Sequence, residues 1–72
     1  MNSDQALEQA RAAKAGLLIR YYTRRNYGTD HHYPLDHGSA VSRLTGRATM
    51  TNNDINALRD LGFTLAEVVE PK

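Results

Sequence analysis

The chain has 72 residues, with nine basic and eight acidic side chains, three histidines, no cysteine and a formal charge of +1. That length allows one domain, residues 1–72, and a core of this size rarely contributes more than roughly 3–5 kcal/mol net; without cysteine no disulfide or thiolate metal site can reinforce it. No stretch reaches the ~18 apolar residues of a membrane helix, and the N-terminus lacks the basic region and apolar run of a signal peptide, so the expectation is a cytoplasmic protein without a membrane partner.

Residues 1–16 read as a helix. Asn2 or Ser3 can cap it, Asp4 and Glu8 sit near its positive end, and Arg11 and Lys14 near its negative end. Gly16 suits the position just past its end. Leu7 is its one large apolar side chain, so the helix should lie lightly over a sheet face or fray.

Residues 17–34 read as a hairpin. The first strand, 17–26, alternates Leu17, Ile19, Tyr21 and Thr23 on the expected core face with Leu18, Arg20, Tyr22 and Arg24 on the other. The first helix could cover Leu18 and Tyr22. Asn26 to Asp30 read as a turn, with Gly28 free to take a positive φ. A return strand from about Asp30 to Tyr33 stops at Pro34.

Residues 36–70 read as helix, helix, strand. Asp36 is a candidate cap for a helix over His37 to Thr45, with Ala40, Val41 and Leu44 as its apolar stripe and Gly46 as its end. Residues 47–50 read as a linker. Thr51 with Asp54 forms a capping-box variant for a second helix. Ile55, Leu58 and Leu61 mark its buried face, and Gly62 with Phe63 its Schellman end. Thr64 to Val69 reads as a closing strand. The fold class is therefore α+β: an N-terminal helix, a hairpin, two short helices and a closing strand, making a small three-stranded sheet covered by helices.

Charge is unevenly spread. Residues 11–47 carry seven basic side chains against Asp30 and Asp36, whereas residues 48–72 carry Arg59 and Lys72 against four acids. A basic, tyrosine-rich hairpin could attract an acidic partner, protein or nucleic acid.

Short motifs are spaced along the chain, each present once: Tyr27-Gly28, Tyr33-Pro34, Leu44-Thr45-Gly46, Thr49-Met50-Thr51 and Leu61-Gly62-Phe63. In them the chain resembles small accessory proteins carried by bacteriophages and plasmids. The motifs are turns and caps, and the resemblance brings no catalytic residues with it. What it implies is a mobile-element origin and action in a host cell. Small proteins from that source often bind a host protein or block a host defence, CRISPR systems included.

Enzyme chemistry finds little support. His37 lies near Ser39 and Ser42, but no nucleophile elbow, phosphate loop or paired glutamates accompany them. His31, His32 and His37 with Asp30 and Asp36 are the one ligand-rich cluster. Neighbouring strand residues point to opposite faces, so a metal is not expected; His32, Asp36 and His37 would be the members of any such site. No cofactor is expected either. The helix around residues 51–61 could read bases through Asn56 and Arg59, but its two aspartates suit phosphate poorly.

The best functional signal is the arginine and tyrosine set, the residue types favoured at binding hot spots. The reading is a non-enzymatic binding protein that occludes an acidic surface of a host protein, as an anti-CRISPR-type inhibitor would. Tyr22, Arg24, Arg25 and Tyr27 are the expected contacts, with Arg20, Arg43 and Arg47 at the rim. The alternative is a nucleic-acid-binding regulator using the same face. Self-association into a homodimer is a third expectation, because domains this small commonly need such support.

Overall fold

The computed structural model describes residues 3–71. Its elements are α1 (Ser3–Lys14), β1 (Leu18–Asn26), β2 (Thr29–Pro34), α2 (Gly38–Thr45), α3 (Asn52–Asp60) and β3 (Thr64–Glu67). The architecture is the expected α+β one, three helices and a three-stranded mixed sheet in the order β2-β1-β3. β1 is the central strand, antiparallel to β2 and parallel to β3. A parallel partner needs a long crossover, and α2 and α3 are carried by it.

The main core lies on one sheet face. Ile19 and Tyr21 of β1 and Leu65 of β3 meet Val41 of α2, Met50, and Ile55 and Leu58 of α3, with Phe63 packed against them. Ile19 and Met50, at 1% and 2% exposure, are the most enclosed large side chains. The opposite face is covered lightly by α1, which touches β1 and β3. Ala12 and Ala66 are buried outside the main core, and Ala13 lies beside Leu18. Small alanines let α1 approach closely while burying little, as its composition implied.

Helix ends follow local chemistry. Thr51 accepts from the Asp54 N–H while the Asp54 carboxylate accepts from the Thr51 N–H, a complete capping box. Gly62, at φ 103°, ends α3 in a Schellman motif: Phe63 N–H donates to Leu58 O and Gly62 N–H to Arg59 O. Gly16 ends α1 in the same manner, through Leu17 N–H to Ala12 O. Ser3 is the first helical residue of α1; Asn2, the other candidate cap, lies outside the described residues.

Four expectations are corrected. Asp36 does not cap α2. His37 holds that position in the left-handed region, at φ 57° and without a side-chain cap, because Asp36 is taken by Arg20. Residues 47–50 are more than a linker, since Met50 is core and its N–H donates to His32 O across the outer edge of β2. Leu44 and Leu61 are 77% and 73% exposed rather than buried. A three-stranded sheet is wide enough for Val41, Ile55 and Leu58, and the two leucines overhang an open groove beyond it. Lastly, β3 stops at Glu67; Val68 still donates to Tyr21 O, and Val69 is exposed.

Candidate functional site

The hairpin turn is tighter than the sequence suggested. Asn26 pairs with Thr29, so Tyr27 and Gly28 alone make the loop. Both have positive φ, 53° and 78°, the signature of a type I′ turn. Glycine fits that geometry freely; tyrosine does not, because its Cβ crowds the backbone in the left-handed region. Tyr27 is also fully exposed and makes no ring contact among the described residues. A strained, solvated aromatic thus stands at the tip of the longest antiparallel ladder. Arg25 sits beside it, reaching Gly28 O at 3.4 Å and Asp30 loosely at 3.9 Å.

Below the tip, β1 presents Arg20, Tyr22 and Arg24 on the face away from the main core. Tyr22 pairs with Tyr33 of β2, and the two rings stack at 5.1 Å with planes 9° apart. The expectation that α1 covers Tyr22 is therefore replaced by an aromatic pair on the sheet surface. Arg20 forms a bidentate pair with Asp36, Nε to Oδ2 at 2.8 Å and Nη2 to Oδ1 at 2.9 Å, and its backbone N–H donates to the same carboxylate. Arg24 pairs with Glu70, which the chain brings back after β3. Arg47 pairs with Asp54 at 2.5 Å. The Thr51 N–H and the Arg47 guanidinium hold the Asp54 carboxyl below its ordinary range.

The seven expected binding residues thus fall into groups. Arg20, Tyr22 and Arg24 share one sheet face. Arg25 and Tyr27 share the tip. Arg47 stands across a groove from Gly28, Thr29 and His31. Arg43 is exposed in the last turn of α2, and among the described residues no ion pair ties it to the hairpin. Sequence reasoning missed Tyr33 and the carboxylates that answer the arginines. Tyr33 was within reach: a two-residue turn at 27–28 places Tyr22 opposite Tyr33 by register alone.

The histidines are dispersed. His32 Nδ1 lies 2.8 Å from Thr23 Oγ1, which donates to Glu67 Oε1 at 2.8 Å, so His32 is the donor to the hydroxyl. His37 Nε2 donates to Gly16 O. With Asp36 on Arg20, the three residues named for a metal are turned to separate partners, and among the described residues no His and acid cluster is placed to hold an ion. No helix among those residues is long and apolar enough to cross a membrane.

The grip of Arg20 has a consequence for acid stability. Hydrogen bonds from its side chain are the main cause that lowers the Asp36 pKa from 3.8 to about 2, with the Arg20 N–H and charge adding to them. A carboxyl depressed on folding stabilises the native state above its unfolded pKa and loses that contribution as pH falls through the folded one. Asp36→Asn should therefore be less stable than the parent near neutrality, and the gap should close between pH 3.8 and about 2. Urea midpoints across that range test this; a gap that stays constant would show that the pair contributes nothing through its charge.

Against family models, curated proteins and solved structures, the chain gives no match.

Proposed function

We propose that this chain is a non-enzymatic binding protein whose hairpin tip inserts Tyr27 into a pocket on another protein. The observation that carries the reading is Tyr27 itself, fully exposed in a backbone conformation where Asn or Gly would be more stable. Unfavourable conformations kept at an exposed site are a pointer to function. Arg25 would meet an acidic group at the rim of that pocket, and the Tyr22–Tyr33 pair would extend the contact along the sheet. The resemblance to small phage and plasmid proteins extends the proposal: the partner is a host protein, blocked by occlusion, as an anti-CRISPR-type inhibitor would block it.

The ion pairs favour protein over nucleic acid as the partner. Arg20 and Arg24 on the sheet face, and Arg47 across the neighbouring groove, are each matched by a carboxylate, so they offer phosphates little net charge. Of the five arginines among the expected binding residues, Arg25, with only a loose pair to Asp30, and Arg43 remain the freer guanidinium groups.

The test is capture by tagged protein from nuclease-treated bacterial lysate, run beside a variant with both Arg25 and Tyr27 replaced by alanine. The expected result is a stoichiometric protein partner held by the parent and lost by the variant. Equal capture by both would refute the hairpin tip as the contact. Recovery of nucleic acid alone from untreated lysate would overturn the protein-partner reading.

A further inference from the structure

The two edges of the sheet are treated differently. The outer edge of β2 is closed by Met50, whose N–H donates to His32 O at 2.8 Å. β3 ends the sheet on the other side, and no strand or bridge covers its outer edge among the described residues. Thr64 and Val68 donate to Leu17 O and Tyr21 O, both at 2.8 Å, so the even-numbered residues of this segment direct their backbone groups at β1. By strand alternation Leu65 and Glu67 direct their N–H and C=O groups outward. That edge opens on a groove of about 530 Å³ between α1 and α3, walled by Glu8 on one side and Arg59 and Phe63 on the other. An uncovered edge of this kind is a template for another strand.

We propose that a second copy of this chain fills the groove, with β3 of each copy pairing antiparallel about a two-fold axis at Ala66. The register places Leu65 of one copy opposite Glu67 of the other, twice, so every outward N–H and C=O of the strand finds a partner and the sheet becomes continuous through six strands. Charge selects the second copy over an unrelated strand. Arg59 forms no ion pair within its own chain among the described residues, and Glu67 has one carboxylate oxygen on Thr23 and the other open. Arg59 and Leu65 both line this groove, and the register delivers Glu67 of the second copy opposite Leu65, into the groove that holds the unpaired guanidinium. The two-fold operation makes that pairing twice. A small core gains from it what short chains often obtain by association. The interface is separate from the hairpin tip, so this inference stands or falls independently of the proposed function.

Sedimentation of the full chain over micromolar to millimolar concentration tests it. The expected result is a monomer–dimer equilibrium. Arg59→Glu and Glu67→Arg should each weaken the dimer by about tenfold or more, and the double variant should recover most of that loss, as expected for a close charge pair across an interface. Glu67→Pro removes an outward N–H and leaves the β1 ladder intact, a place where edge strands accept proline, and it should abolish the dimer. If a variant fails to fold, amide exchange on the parent decides: Leu65 and Glu67 should gain protection as concentration rises, while Thr64 and Val68 should not. A parent that stays monomeric throughout, with or without a foreign peptide in the groove, overturns the proposal. So does a dimer that neither the charge swaps nor the proline weakens.

Discussion

Tyr27→Asn should make the protein more stable and deprive it of its partner. Asparagine enters the left-handed region readily, whereas other L-residues pay about 1 kcal/mol or more for it. Tyr27 holds φ 53° with its ring in solvent, so the substitution removes strain without removing packing. For a domain of this size about 1 kcal/mol raises the melting temperature by roughly 4–8 °C. Capture of the protein partner should fall to background, because the exposed ring is the proposed anchor and hot-spot aromatics cost at least about 2 kcal/mol when truncated. Tyr27→Phe is the control: it retains the ring and the strain, and should retain most of the capture. Opposite movement of stability and binding is the signature sought. A melting temperature that falls would mean that Tyr27 supports the fold, and the functional reading of its strain would be lost.

The largest effect on folding should come from Met50→Ala. Met50 is 2% exposed, packs with Ile19, Tyr21, Val41, Ile55, Leu58 and Leu65, and anchors the crossover by its hydrogen bond to His32. Truncating a buried methionine costs about 2–5 kcal/mol, while a core of this size rarely contributes more than roughly 3–5 kcal/mol in all. The variant should therefore be largely unfolded at 25 °C by circular dichroism. Met50→Leu, which nearly conserves volume, should cost under about 1.5 kcal/mol. A Met50→Ala protein with an unchanged urea midpoint would show that the crossover segment does not hold the core together.

These two residues mark where sequence reasoning succeeded and where it stopped. Tyr27 was legible as a turn residue because Gly28 follows it within an alternating aromatic run. Its strain was not, since a broader turn over Asn26 to Asp30 would have left it relaxed. Met50 lies outside any periodic segment, among Arg47, Ala48 and Thr49, and no pattern distinguishes a buried methionine there from a solvated one. Leu44 and Leu61 failed in the opposite sense. They continue the apolar periodicity of α2 and α3, yet they overhang the sheet. Periodicity reports which face of a helix is apolar, and says nothing of how far the opposing surface extends.

The candidate surface divides in the same way. Alternation alone put Arg20, Tyr22 and Arg24 on one face, and register alone put Tyr33 against Tyr22. The neutralisation of that face lay beyond the reach of sequence. Asp36 and Glu70 are 16 and 46 residues from the arginines they answer, and only the closure of the chain around β1 brings them together.

By itself the sequence determined the kinds of element, their order, the close of α1 and both ends of α3, because caps, turns and alternation are set by interactions within a few residues. The tertiary structure decided what depends on distant segments: that β3 lies parallel to β1, that Met50 closes one sheet edge while the other stays open, and that the basic hairpin carries its own counter-charges. Each of these is a contact between residues far apart in the chain, chosen by the shape of the whole core.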